Sequence, residues 1–135
     1  MTTLRPFTLT AKTAMTATPS FPAERVYDYV HAPRKSAVLL DRLWPRGISK
    51  QALEGVAWEK EATPSTGLRE WFHADPQGRF DEFCERFRQE LQAPAAQAAL
   101  QRLRALPRPL TLLTAARDPA RSHIAVLQQV LGASR

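Results

Sequence analysis

The run Ala37-Val38-Leu39-Leu40 is apolar at four consecutive positions. A half-exposed strand alternates apolar and polar residues, whereas a strand that is apolar on both faces is typical of a parallel sheet covered by helices on both sides. Ser36 to Leu43 is therefore predicted to form a strand with both faces buried. Both faces of such a sheet must be covered by other elements, usually helices, so this run favours an α/β layout.

The other strands and helices have separate signals. Arg25 to Val30 (RVYDYV) alternates and is predicted as a first strand, and Pro109 to Ala115 (PLTLLTA) as a last one. Ser49 can cap a short helical turn over 50–54. The stretch 55–62 is expected to be extended or irregular.

Helix-start signals recur in the second half of the chain. Ser65 or Thr66 can cap a short helix, and Asp75 before Pro76 combines a capping acid with proline at the first helical position. Another helix is expected to start at Pro94. The pair Asp118-Pro119 predicts the start of a final helix directly after the last strand. The sequence thus predicts a small three-layer α/β domain with a short, mostly parallel sheet flanked by helices.

Length and composition limit the domain organisation. The chain has 135 residues, of which 44% are apolar, which suits one globular domain. Residues 1–23 are rich in Thr and Ala and are expected to be a disordered extension, or to reflect a start codon placed too early, with Met15 as another candidate start. Residues 24–135 are predicted to form the single domain. No membrane-spanning run or signal peptide is apparent, and Cys84 is the only cysteine, so a cytoplasmic protein with no membrane partner is expected.

Charge and missing motifs narrow the classes of function. The 19 Lys and Arg against 13 Asp and Glu give a formal charge of +6, which favours an anionic small molecule or nucleic acid as partner, although compositional drift can also produce such a surplus. The five glycines form neither a dinucleotide-binding motif nor a phosphate-binding P-loop. No spacing of His, Cys and acidic residues suits a metal site. No cofactor is therefore expected.

Two predicted strand exits carry unusual polar residues. Ligands of open α/β sheets bind beyond the carboxyl ends of the strands, so both groups are expected to line one crevice if the strands are parallel neighbours. The first group comprises Asp41, Arg42, Trp44, Arg46 and Lys50, and the second comprises Arg117, Asp118, Arg121, Ser122 and His123.

Chemistry suggests a role for each residue of this predicted crevice. Asp41 and His123 are the candidate catalytic residues, with His123 as acid or base and Asp41 expected to pair with and orient Arg42 or Arg117. The arginines are suited to bidentate binding of phosphate or carboxylate. Plainer structural roles compete throughout, since Asp118 can be a helix cap, Asp41 one half of a structural ion pair and His123 a histidine at the margin of the core. The residues expected to bind ligand are Arg42, Trp44, Arg46, Lys50, Arg117, Asp118 and Ser122.

Three segments, LDRLWPRGISK, ATPSTGLREWF and LLTAARDPARSHIAVL, resemble the YeaO-like branch of the domain-of-unknown-function 488 family over residues 24–131. The resemblance implies a compact α/β protein and carries no settled activity. The wider family usually has a cysteine beside the histidine, in a Cys-His-Arg-like motif. Here the corresponding residues are Ser122-His123-Ile124, so thiol chemistry at that place is not available to this chain.

The leading hypothesis is a small α/β protein that binds a phosphorylated or other anionic ligand in an Arg-rich crevice, and the sequence leaves open whether it is an enzyme. One alternative is a nucleic-acid-binding module, although no helix-turn-helix, RNP or zinc-finger signature is present. Another is an accessory protein that docks a partner through its Trp-Pro-Arg-Gly (WPRG) loop.

Overall fold

The computed structural model describes residues 20–33 and 36–133. Four parallel strands form one sheet in the order β1-β4-β2-β3. The strands are β1 (Ala23–Arg25), β2 (Ala37–Leu39), β3 (Ala57–Trp58) and β4 (Thr111–Thr114). The predicted α/β fold with a parallel sheet is confirmed.

The two central strands explain the three layers. In the register of β2 and β4, Val38 is opposite Leu112 and Leu39 is opposite Leu113. Val38 and Leu112 belong to one hydrophobic cluster, while Leu39 and Leu113 belong to a second cluster. Because successive side chains of a strand point to opposite faces, the two clusters lie on opposite faces of the sheet. The apolar run is therefore unbroken because its residues are buried on both faces of the sheet.

Four helices cover the first face. Ser65 caps α2 by accepting a hydrogen bond from the Leu68 amide, and Asp75 caps α3 by accepting one from the Gly78 amide. The predicted helix starts at these residues and at Pro94 are confirmed. The helices are α2 (Thr66–His73), α3 (Pro76–Glu90), α4 (Pro94–Arg104) and α5 (His123–Ala133). No helix of the described ranges combines the length and apolar character needed to cross a lipid bilayer.

The second face is covered by shorter elements. A single-turn helix, α1 (Val26–Tyr29), and a 3-10 turn (Gln51–Leu53) pack there, together with the partly buried Trp44 and Trp58. Ser49 caps the 3-10 turn through a bond from the Ala52 amide to its hydroxyl, as predicted.

The first strand was predicted at the wrong position. The residues Arg25 to Val30 alternate, but the strand ends at Arg25 and Val26–Tyr29 is helical. The two residues of α1 that are buried are Val26 and Tyr29, and this spacing of three puts them on one face of a helix and on opposite faces of a strand. The strand predicted over 36–43 is likewise shorter, Ala37–Leu39.

The predicted start of the last helix is also wrong. Asp118 accepts a hydrogen bond from the Ala120 amide and caps only a 3-10 turn, Pro119–Arg121. Ser122 then returns to extended backbone, and α5 begins at His123. The cap-plus-proline signal therefore marks a helical turn correctly but not its length.

The amino-terminal boundary falls slightly earlier than expected. Residues 1–19 of the predicted extension lie outside the described residues. Residues 20–23 belong to the domain, since Phe21 is buried in the first cluster and β1 begins at Ala23.

Candidate functional site

A cavity of about 260 Å³ lies beyond the carboxyl ends of β2 and β4. It has the position expected for a ligand site in a parallel sheet. Its apolar lining includes Leu43, Pro64 and the alanines that follow β4. Its polar lining consists of Asp41, Arg42, Thr63, Arg69, His73, Thr114 and His123.

Asp41 joins the exits of the two central strands. One carboxylate oxygen accepts a hydrogen bond from the Thr114 hydroxyl at 2.6 Å, and the other accepts one from the Ala115 amide at 2.7 Å. The predicted pairing with Arg42 or Arg117 is wrong. The carboxylate instead accepts a hydrogen bond from the backbone amide of Ala115, the residue that follows β4.

His123 is held by the same strand exit. Its Nε2 atom lies 2.5 Å from the Leu40 carbonyl oxygen and 3.6 Å from a carboxylate oxygen of Asp41. Because a carbonyl oxygen only accepts, Nε2 carries the proton, and in the neutral ring Nδ1 is left as an acceptor. The ring also meets Phe87 edge-on, with centroids 6.2 Å apart. Segments some eighty residues apart thus meet here, as the sequence predicts for Asp41 and His123.

Arg42 supports the wall of the cavity. Its Nε donates to the Pro64 carbonyl at 2.9 Å and its Nη2 donates to the Thr63 carbonyl at 3.0 Å. These bonds hold the loop that leads into α2. The guanidinium lines the cavity with a positive charge, but two of its donors are already used.

Arg69 and His73 were missed as site residues by the sequence analysis. They are four positions apart on α2, which places both on one side of the helix, and both line the cavity. The Arg69 Nε atom is buried and has no hydrogen-bond partner among the described residues. Partial burial lowers the pKa of His73, and the charge of Arg69 lowers it further. The signal in the sequence was the spacing of four beside the buried pair Leu68 and Phe72.

Trp44, Arg46 and Lys50 do not line this cavity. Trp44 packs in the cluster on the other face of the sheet, where its indole N–H donates to the Ile48 carbonyl at 2.6 Å. The Lys50 ammonium lies over its ring, 5.9 Å from the centroid. Arg46 is exposed, in a turn that Gly47 completes with a φ of 80°. The expectation that the whole WPRG turn lines the crevice is therefore wrong, since the chain bends towards the opposite face after Arg42.

Arg117, Asp118 and Ser122 line an adjoining groove of about 730 Å³, which shares His73 and Ala116 with the cavity. The Ser122 hydroxyl donates to the Pro119 carbonyl at 2.8 Å and accepts from the Ile124 amide at 3.1 Å. Ser122 is therefore the cap of α5, and its buried hydroxyl is fully bonded. Asp118 caps the 3-10 turn at Pro119–Arg121, which is the structural role considered for it as an alternative to ligand binding.

Metal-binding side chains are not concentrated at the site. Within 20–33 and 36–133, no group of three or more His, Cys, Asp or Glu residues is placed to hold a metal ion. The groups that face the cavity are guanidinium, imidazole and one bonded carboxylate, a set that suits an anion better than a cation.

Comparison with known proteins identifies the family. Residues 20–134 match the family DUF488-N3i, described as the inactive DUF488-N3 subclade. An uncharacterised protein of Mycobacterium tuberculosis is 45% identical over 107 residues, which cover 79% of this chain and 89% of the relative. The uncharacterised protein YeaO of Escherichia coli is 40% identical over 108 residues, covering 77% of this chain and 90% of YeaO. No solved structure gives a significant match. The chain belongs to the DUF488-N3i family, the inactive subclade of DUF488-N3.

Proposed function

We propose that the cavity binds the anionic group of a small phosphorylated ligand, with Arg69 as its principal anchor. The observation that carries this proposal is the buried Nε atom of Arg69, which lacks a partner among the described residues. A buried donor on a charged group costs about 1–3 kcal/mol or more when it is left without an acceptor. An oxygen of a phosphate or carboxylate in the cavity would supply that acceptor.

The charges around the cavity support an anion. Arg42 and Arg69 contribute two positive charges, and Asp41 contributes one negative charge that is already bonded to Thr114 and Ala115. Leaving the imidazoles aside, these three side chains give the lining one net positive charge. Arginine's planar fork is suited to oxyanions, and a half-enclosed site screens the attraction less than bulk water does.

Binding without chemistry agrees best with the bonding at the site. Both oxygens of Asp41 accept hydrogen bonds from the protein, and the Ser122 hydroxyl is used as a helix cap. Both groups therefore already have structural roles at the site. The description of the family as an inactive subclade supports the same choice.

The adjoining groove indicates the size of the ligand. The cavity alone is slightly smaller than a typical small-molecule pocket, but the groove that continues from it past His73 carries Arg117 and Arg121. A nucleotide or sugar phosphate could place its anionic group at Arg69 and extend along this groove. A cytoplasmic location, where such metabolites are abundant, is part of the proposal.

The test compares ligand-induced thermal shifts of the wild type and Arg69→Met across sulfate, phosphate, nucleotides and sugar phosphates. Saturating ligand is expected to stabilise the wild type, by about 2.7 kcal/mol at a hundredfold excess over Kd. Arg69→Met keeps the aliphatic stem and is expected to weaken binding at least tenfold. Arg46→Gln, an exposed arginine outside the cavity, is the matched control and should respond like the wild type. The proposal is contradicted if no ligand shifts the melting temperature of the wild type. It is also contradicted if Arg69→Met shows the same ligand-induced shifts as the wild type.

Nucleic-acid binding is a second candidate, supported by one surface. On the face of the sheet opposite the helices α2 to α5, three partly buried aromatic rings each have a cation above them. The pairs are Arg25 over Tyr27, Lys50 over Trp44 and Lys60 over Trp58. Cations beside aromatic rings are a common arrangement in surfaces that hold a nucleic-acid backbone and its bases.

Salt dependence tests this second candidate. If the surface binds single-stranded DNA or RNA, affinity should fall steeply between about 50 and 200 mM salt, and Lys50→Gln with Lys60→Gln should reduce the log–log slope by about 2. Arg86→Gln, on α3 at the other side of the sheet, is the control. A flat salt response excludes this function for the surface.

A further inference from the structure

We infer that the anionic group held in the cavity is a dianion, such as a terminal phosphate monoester, and that its binding brings one proton onto His73. The inference rests on the proposed function and specifies its ligand class. The site would then prefer phosphate monoesters, which can carry two negative charges, over phosphate diesters and carboxylates, which carry one.

The fixed charges of the cavity are the first step. Arg42 and Arg69 against Asp41 leave one net positive charge in the lining. A monoanion balances this charge completely. A dianion leaves one negative charge without a counterion in a half-enclosed space, which is costly unless a neighbouring group becomes positive. The two imidazoles of His73 and His123 are the groups that can do so near neutral pH.

His73 is better placed than His123 to take the proton. The His123 ring is fixed by its bond to the Leu40 carbonyl, and it lines the cavity but not the groove. The His73 ring stands one helical turn from Arg69 and borders both the cavity and the groove. A ligand anchored at Arg69 therefore lies beside His73.

Electrostatics at His73 give the direction of the effect. Partial burial lowers its pKa, and the charge of Arg69 lowers it further. The empty cavity therefore favours the neutral form of this ring. A dianion opposes the field of Arg69, so the bound state has the higher pKa for His73 and binding takes up a proton.

Other charged groups around His73 do not offset this effect. Asp75 and Asp118 line the groove, but each caps a helical turn through a backbone amide. Arg117 and Arg121 line the same groove, and their two positive charges balance these two carboxylates. The charged and titratable groups that line the cavity or the groove with His73 are Arg69 on its own helix, Asp41 and Arg42 after β2, His123 on α5, Asp75 before α3, and Arg117, Asp118 and Arg121 between β4 and α5.

Calorimetry with sulfate measures the proton directly. Sulfate keeps both charges throughout the range from about pH 5 to 8, so any proton taken up must go to the protein. Titrations at pH 7 in two buffers of different ionisation enthalpy are expected to show uptake approaching one proton. Affinity is expected to rise as pH falls from about 8 to 6, by at most about tenfold per pH unit. His73→Gln should abolish the uptake, whereas His31→Gln, an exposed turn residue, should keep it.

The outcomes separate this inference from the proposed function. If sulfate binds in a way that depends on Arg69 but without proton uptake, the inference about His73 is wrong and the proposed anion binding still holds. Uptake that persists in His73→Gln and disappears in His123→Gln overturns the assignment to His73. No binding of any anion contradicts the proposed function itself. An NMR titration of the His73 ring with and without sulfate, on the wild type, gives the same answer independently of any variant, since its pKa should rise on binding.

Discussion

Phe87→Ala is expected to lower the free energy of unfolding by about 3–5 kcal/mol, the range typical of a large aromatic residue removed from a closed core. The Phe87 side chain is 0% exposed, at the centre of the larger hydrophobic cluster. It stacks on Phe83 at 6.1 Å and meets the ring of His123 edge-on. Urea denaturation followed by circular dichroism measures the loss.

Two companion variants test the reason for this effect. Phe87→Leu leaves a smaller cavity and should cost much less than Phe87→Ala. Gln89→Ala changes an exposed residue of the same helix and should stay within about 0.5 kcal/mol of the wild type. A Phe87→Ala loss of less than about 1 kcal/mol would mean that the residue does not pack as described. Because His123 rests on this ring, the variant should also weaken anion binding.

Asp41→Ala is expected to cost about 3 kcal/mol. Hydrogen bonds to a charged group contribute about 1.5–3 kcal/mol each, and the substitution removes two of them at once. It also leaves the Ala115 amide and the Thr114 hydroxyl without their acceptor. Asp41→Asn keeps one oxygen acceptor and should fall between the wild type and Asp41→Ala, as measured by urea denaturation.

Asp81→Ala is the control for this second prediction. Asp81 is an exposed carboxylate on α3, so its removal should change stability by no more than about 0.5 kcal/mol. If both aspartates cost the same, the bonds of Asp41 to β4 contribute nothing specific. A double variant with Thr114→Val would then show additive effects, whereas contact predicts that the two losses are not additive.

Much of the fold was predictable because local chemistry determines it. The apolar run at 37–40 requires cover on both faces, and Ser65, Asp75 and Pro94 mark helix starts through backbone amides that need acceptors. The errors occurred where two periodicities fit one short segment, as at Val26–Tyr29, or where a cap signal does not state how long its helix runs, as at Asp118.

The site was predictable only in part. Asp41 lies just past the end of β2 and His123 begins the helix that follows β4, and a parallel sheet brings such strand ends to one edge. Arg69 and His73 lie on a helix that crosses over this edge, and a crossing of that kind depends on tertiary packing. Trp44 and Arg46 share a motif with Asp41, but the chain bends towards the other face after Arg42.

Three hydrogen bonds at the cavity wall join parts of the chain that are far apart in sequence. Asp41 bonds to Thr114 and Ala115, and His123 bonds to the Leu40 carbonyl. They hold the pocket in shape before any molecule enters it. A receptor organised in this way gives up little conformational freedom on association, so even a compact ligand with few contacts can be retained.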